Sequence, residues 1–336
     1  MRAEALQAPA AAEQLLAADG PAYAALSASL QSEPPRAIVT LARGSSDHAA
    51  HYLAYLVMSR LGQLVTSLPM SLLTLHAAPL RSEGLLSLAL SQSGQSPDLV
   101  LPTEHFRRGG ARTVALVNDT ASPLARAAQW VLPLHAGAET SVAASKSVIC
   151  QLVAGARLVA AWQGDTALAQ ALQALPEALA QAARADGSAA LPVLASAERL
   201  YVVSRGTGLS AALETALKLK ETCGIQAEAF SGAELRHGPM ALVDDGYPVL
   251  VLALRGPTQP GLLALADELR RRGAAVLLAA PAGVPGVQLP LHPAPDPVLD
   301  PITALQSLYL LADALARLRG LDPDHPRHLS KVTRTR

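Results

Sequence analysis

The stretch Ala37-Ile-Val-Thr-Leu-Ala-Arg-Gly44 returns further along as Leu200-Tyr-Val-Val-Ser-Arg-Gly206. Each is an apolar run that ends in Arg-Gly, then small polar residues, then an Ala-rich helical stretch. The parallel continues outward. Leu85–Leu90 and Pro248–Leu254 are short apolar runs of the kind that form buried strands. Each leads into a helical stretch closed by basic residues and glycine, Arg107-Arg-Gly-Gly110 and Arg270-Arg-Arg-Gly273. A further strand follows in both, Thr113–Val117 and Ala275–Ala279. Leu132-Pro-Leu-His135 is then echoed by Leu289-Pro-Leu-His292, ahead of long helical stretches at about 142–163 and 302–319. The landmarks are offset by roughly 160 residues, far beyond the ~20–50 residue period of a solenoid. A whole domain is duplicated.

Apolar strands alternating with helices imply a parallel sheet covered on both faces. The expected fold class is α/β, with two tandem doubly wound sheets, each a three-layer sandwich. The expected organisation is a helical extension over 1–30, a first domain over 31–165, an Ala-rich linker, itself readable as helical, over 166–196, a second domain over 197–321 and a tail over 322–336. The extension reads as one added helix. Half of the 336 residues are apolar, formal net charge is zero, and no uninterrupted apolar run approaches the ~18 residues of a membrane span. Nothing in the charge suggests a field for nucleic acid or acidic lipid. Cys150 and Cys223 lack metal-type spacing and read as buried thiols of a reducing compartment, so the expected location is cytoplasmic.

The chemistry of the two halves has diverged. Ligands of open α/β sheets bind beyond the carboxyl ends of the strands. There the first half reads Ser91-Gln-Ser-Gly-Gln-Ser96, hydroxyls around one glycine just before a helix, which suits a phosphate. The alternative is a Ser/Gly turn with a helix cap, though a cap needs one hydroxyl rather than three. The second half has Arg255-Gly-Pro-Thr-Gln-Pro-Gly261 instead, so one phosphate site per chain is the economical reading. Ser46, in the loop after the first strand, adds a further hydroxyl, while Asp47 reads as a cap of the following helix.

Glu214, Lys218 and Glu221 stand at i, i+4 and i+7 on one helical face, where the first half has Tyr52, Leu56 and Ser59. Spacing alone fits a solvated, ion-paired face equally well. His237 lies in the polar cluster Gly232-Ala-Glu-Leu-Arg-His-Gly-Pro239, a suitable place for proton transfer. Of 27 basic residues only Lys146, Lys218, Lys220 and Lys331 are lysines, and where Arg is the default a Lys is needed for its smaller, ionisable amine. Taken alone, the basic tail around Lys331 reads as solvated and disordered.

Four segments carry a resemblance: Ser91-Gln-Ser-Gly94, Leu213-Glu-Thr-Ala-Leu-Lys-Leu-Lys-Glu221, Gly232–Pro239 and Pro326-Arg-His-Leu-Ser-Lys331. Together they resemble the isomerase half of glutamine–fructose-6-phosphate aminotransferase over about residues 35–333. The resemblance implies two sugar-isomerase (SIS) domains, each flavodoxin-like, and a homodimer with shared active sites. It implies a small-molecule sugar phosphate as ligand; the expected chemistry needs no metal or redox cofactor, and no nucleic-acid or membrane partner is expected. It assigns Ser46, Ser91, Gln92, Ser93 and Ser96 to the phosphate. It makes Glu221 the base that moves a proton between C1 and C2; the cation expected to stabilise the developing charge is Lys218, on the helix shared with Glu214, or Lys331. It makes His237, from the partner subunit, the ring-opening residue, and places Lys331 at the open-chain carbonyl.

The family's Val-Ala-Ser-Thr-Lys is here Val142-Ala-Ala-Ser-Lys146, so a hydroxyl contact at Ala144 is lost while backbone contacts from Val142 remain available. Ser330 replaces the alanine before the last lysine. No glutaminase domain is expected, since its N-terminal nucleophilic cysteine has no counterpart after Met1-Arg2. Ala42-Arg-Gly-Ser-Ser-Asp-His-Ala49, Ser91–Asp98 and Leu134-His-Ala-Gly-Ala-Glu139 are similar to isomerase-type glucosamine-6-phosphate deaminases, which makes ammonia release the leading expectation. The alternatives are an isomerase or deglycase on another amino-sugar phosphate, an aminotransferase half fed by a separate glutaminase, or a sensor without turnover.

Overall fold

A computed structural model of the chain describes residues 1–331; the last five positions of the expected tail, 332–336, lie outside the described residues. Contacts divide the chain into two compact units, each built on one sheet.

The first unit comprises 10–139, 146–173 and, of the tail, Ser330 and Lys331. Its strands are β1 (Ala37–Leu41), β2 (Val65–Ser67), β3 (Leu85–Ser91), β4 (Arg112–Val117) and β5 (Trp130–Pro133). All pair in parallel, in the order β2-β1-β3-β4-β5. The central strands are apolar throughout because helices cover both faces. One face packs on helices Ser45–Leu61 and Lys146–Gln163. Gly155 lies in the contact between these two helices: a Cβ there would stand 3.3 Å from Leu53 Cδ1. The other face buries Val39, Leu41, Ala89 and Val117 against Leu99 and Phe106 of helix Pro97–Arg108 and Leu124 of helix Pro123–Ala127.

The second unit comprises Met1–Pro9, Thr140–Ser145 and Ala174–Leu329. Its strands are β6 (Arg199–Ser204), β7 (Gln226–Ser231), β8 (Pro248–Leu252), β9 (Ala275–Pro281) and β10 (Leu289–Leu291). Their order, read from the first edge, is β7-β6-β8-β9-β10. Numbering strands afresh within each unit gives 2-1-3-4-5 twice, the flavodoxin-like order with its switch point between the first and third strands. The duplication read from the sequence is therefore a duplication of topology. Helices Gly208–Cys223 and Asp300–Leu318 pack on one another, and helix Gln259–Arg271 covers the other face. Helix Asp300–Leu318 with its preceding turn is long and apolar enough to cross a bilayer, but 83% of that window is buried within the fold.

Two details depart from the sequence reading. The N-terminal extension is three helices, Arg2–Leu6, Ala8–Ala17 and Gly20–Ser32, not one. The last break falls at Asp19, whose φ of 55° is left-handed and ends any continuous helix. Asp47 does not cap its helix. Gly44 holds the cap position and Asp47 lies inside the first turn, where its charge still complements the helix dipole. The Ala-rich linker agrees with a helical reading, with helices at Thr166–Gln173, Leu175–Ala182 and Leu191–Ala195.

Candidate active site

In the first unit, β1 and β3 are neighbours that end beside one another at the switch point. Ser91 closes β3, and its Oγ accepts the Gly94 N–H at 2.9 Å, which turns the chain. Gly94 has φ +62°, and its carbonyl accepts the Leu124 N–H at 3.1 Å. Ser93 Oγ accepts the Gln95 N–H at 3.4 Å, and Gln92 offers its carbonyl to Asp119 N at the same distance. Ser96 occupies the cap position of helix Pro97–Arg108 with extended backbone, yet its side chain accepts no N–H from the first turn. Its Oγ is enclosed without a hydrogen-bond partner among the described residues. The helix-cap alternative thus lacks the one bond it needs.

After β1, Ser46 sits in the first turn of its helix and its Oγ accepts from Gln151 Nε2 at 3.0 Å. Arg43, from the same loop, pairs with buried Asp98 at 2.9 Å and ties the β1 loop to the helix that follows the serine loop.

The serine loop has no room for a side chain at its glycine: a Cβ on Gly94 would lie 2.2 Å from Ser122 Oγ and 2.6 Å from Ser122 Cβ. Combined with the left-handed φ, Gly94→Ala is expected to destabilise the protein by more than ~1 kcal/mol. Thermal unfolding measures this, and an unchanged Tm would contradict the loop geometry.

The loop after β5 contributes a residue whose role the sequence reading did not identify. Glu139 is buried; its Oε1 accepts the Ser147 N–H at 3.1 Å, and its Oε2 accepts the Ser147 hydroxyl at 2.6 Å. Lys331 Nζ donates to the same Oε2 at 3.1 Å. A carboxylate at the start of helix Lys146–Gln163 is thereby shared between backbone, hydroxyl and ammonium. The sequence signals were its place at the end of the deaminase-like Leu134-His-Ala-Gly-Ala-Glu139 and shortly before a long apolar helix. Lys331, which the sequence alone would leave in a disordered tail, is thus held by a buried partner. Ser330 beside it is exposed.

In the second unit the Glu214, Lys218 and Glu221 face points inward. The three side chains are 0%, 2% and 21% exposed, which excludes the solvated-face reading. Lys218 Nζ lies 3.5 Å from Glu214 Oε1 and 2.5 Å from Glu221 Oε2. Tyr309, from helix Asp300–Leu318, donates its hydroxyl to Glu214 Oε1 at 3.1 Å. One cation therefore bridges two carboxylates. Glu214 is fixed from a second helix, and Glu221 is the member that still reaches solvent.

His237 ends a short 3-10 turn, Glu234–His237, after β7 and is exposed; Arg236 beside it pairs with Glu268 at 2.6 Å. Gly238 follows at φ +141°, a conformation open to glycine alone. Val142 is half-buried, and its N–H donates to the Asp324 carbonyl at 3.2 Å.

The second unit's counterpart of the serine loop is filled by the chain itself. Arg255 donates from Nε to Asp300 Oδ2 at 2.9 Å and from Nη2 to Oδ1 at 2.6 Å, while Ala294 N–H reaches Oδ1 at 2.9 Å. A carboxylate of the fold occupies the donors there.

Residues 33–161 and 193–280 match the SIS domain model, and the chain belongs to that family. It is 35% identical over 275 residues to the isomerising glutamine–fructose-6-phosphate aminotransferase of Zymomonas mobilis, covering 76% of this chain and 45% of that protein. The chain spans about half the length of the curated relatives it matches. A crystal structure from Silicibacter pomeroyi, provisionally described as a phosphosugar isomerase, is 40% identical with a TM-score of 0.91, covering 96% of this chain and 99% of that one. The C-terminal domain of glucosamine-fructose-6-phosphate aminotransferase from Francisella tularensis superposes with a TM-score of 0.87 at 23% identity, covering 96% of each. Glucosamine-6-phosphate deaminase from Thermotoga maritima does so at 0.76 and 21%, covering 99% and 98%. The last two likenesses are of fold.

Proposed function

We propose that this chain is a phosphosugar isomerase-type enzyme that converts glucosamine 6-phosphate and water to fructose 6-phosphate and ammonia. The observation that carries the reading is the buried Glu214–Lys218–Glu221 arrangement, with Glu221 at its accessible end. A carboxylate that can reach a ligand, with an ammonium at 2.5 Å, suits removal of a proton next to a carbonyl.

In this reading Ser46, Ser91, Gln92, Ser93 and Ser96 hold the 6-phosphate and so fix the register of C1 and C2. The protein acts as a cytoplasmic homodimer, and His237 of the partner subunit assists ring opening. Glu221 takes the C2 proton, and electrons from the C2–H bond pass into a C1–C2 double bond as the C1 carbonyl becomes an enol oxygen. Lys218 stabilises the charge that develops. Glu221 returns the proton to C1, which leaves a ketimine at C2. Water adds to C2, the C–N bond breaks, and ammonia leaves. Lys331 interacts with the open-chain carbonyl, and Glu139 holds its ammonium until substrate competes for it. Val142 contributes a backbone contact, and Ser330 flanks Lys331.

The test is release of ammonia from glucosamine 6-phosphate by the purified chain, with fructose 6-phosphate followed in parallel. Matched release of both is the expected result. Binding of glucosamine 6-phosphate without either product would defeat the reading. The identity to isomerising aminotransferases favours a second reading, an isomerase acting in the direction of synthesis. Glucosamine 6-phosphate formed from fructose 6-phosphate and ammonium, faster than it is broken down at matched concentrations, would favour that reading instead.

A further inference from the structure

The segment Thr140–Ser145 joins the loop after β5 to helix Lys146–Gln163 and lies in no regular element. Its first backbone donors have no ladder to pair with, so something else must satisfy them. Glu4, on the short helix Arg2–Leu6, does this. Its side chain is buried, and Oε1 alone accepts the Thr140 N–H at 2.5 Å, the Thr140 hydroxyl at 3.2 Å and the Ser141 N–H at 3.3 Å.

The next two polar groups are held from the tail. Ser141 Oγ donates to Asp324 Oδ1 at 2.6 Å, and Val142 N–H donates to the Asp324 carbonyl at 3.2 Å. Three consecutive residues are thus pinned by two carboxylate-bearing residues, both remote in sequence. Burial pushes the Glu4 carboxyl up, but donation from Ser141 and Thr140 outweighs it and holds the group below the usual carboxylate range. The other oxygen, Oε2, is enclosed and accepts nothing among the described residues. Glu4's share of the work is therefore done by one acceptor atom, Oε1.

We propose that Glu4 is a positioning residue that sets the conformation of Thr140–Ser145 and hence the backbone of Val142 that meets the sugar. The proposal rests on the function just given for the Val142 contact. Glu4 itself touches no substrate. Its influence passes along two peptide units, and its loss lets the segment sample conformations in which Val142 is misplaced. The effect falls on binding of the sugar, because the proton-transfer groups Lys218 and Glu221 belong to a different element.

Amide hydrogen exchange together with steady-state kinetics tests this on the full chain. Glu4→Ala is expected to speed exchange at Thr140 and Ser141 by about tenfold or more, the size of a lost hydrogen bond to a charged group. It should also raise KM for glucosamine 6-phosphate by about tenfold, with kcat changed by less than about threefold. Glu4→Gln keeps the accepting oxygen and should restore both quantities to within about threefold of the parent. If Glu4→Ala does not fold, Glu4→Asp, which keeps the charge but shortens the reach by one methylene, should show the same signature.

The outcome separates the two proposals. A parent chain without turnover defeats the deaminase reading, while exchange at 140–142 and the Kd for fructose 6-phosphate still decide the role of Glu4. Faster exchange with unchanged KM and Kd makes Glu4 purely structural and overturns the inference. So does unchanged exchange in the alanine variant, or a parent chain that binds neither sugar phosphate.

Discussion

Glu221→Gln is expected to lower ammonia release from glucosamine 6-phosphate by about 10²–10⁴-fold, the range for loss of a general base. The substitution is isosteric and leaves Lys218 paired with Glu214, which stands 3.5 Å from it on the preceding turn. With a side chain 21% exposed, Glu221 is not deep enough for neutralisation to unfold the protein. Tm should therefore fall far less than activity. KM should change little, because the phosphate grip is proposed for the serine loop and not for Glu221. Equal losses in kcat and kcat/KM are the signature of a contact made in the transition state alone. Solvent deuterium incorporation at C1 of the product should slow in parallel. Turnover within tenfold of the parent would remove Glu221 from the base's role and leave the buried arrangement as a structural one.

How far the sequence could be read follows from burial. β1, β3, β4, β6, β8 and β9 are legible as apolar runs because helices cover them on both faces. The edge strands β2, Val-Thr-Ser, and β7, Gln-Ala-Glu-Ala-Phe-Ser, pair on one side only. They are short or polar, and no run announces them, so neither was expected. The break at Asp19 was equally hidden, since a left-handed residue in an Ala-rich stretch leaves little trace beyond Gly20-Pro21.

At the site, the spacing of Glu214, Lys218 and Glu221 fixed their common face, but the direction of that face was open. Tyr309 closes the question, and it lies 95 residues from Glu214. Glu139 and Lys331 are 192 residues apart, and no local pattern joins them. Asp300 fills the donors of the second unit's loop from across 45 residues. Local rules read element type and facing well. Pairings of buried charges are set by tertiary packing and had to await the fold.

Lys218→Met should cost the fold about 3–5 kcal/mol, the usual effect of removing one partner from a buried ionic network. Methionine fills the aliphatic volume of the lysine, so no large cavity adds to the loss. What remains is Glu214, fully buried, two turns from Glu221 with no cation between them. Tyr309 still donates to Glu214, and one hydroxyl does not offset a buried negative charge. For a unit of this size the loss corresponds to a Tm lower by about 6–20 °C. Glu214→Gln in the same chain removes the stranded charge, so the double variant should recover at least half of the lost stability. A cycle of the two single variants and the double variant measures the coupling. If the single Lys218→Met variant melts within about 2 °C of the parent, a shift worth under about 1 kcal/mol, the ammonium is not what holds these carboxylates in place. The assignment of Lys218 as the charge-stabilising group next to Glu221 would then lose its structural support as well.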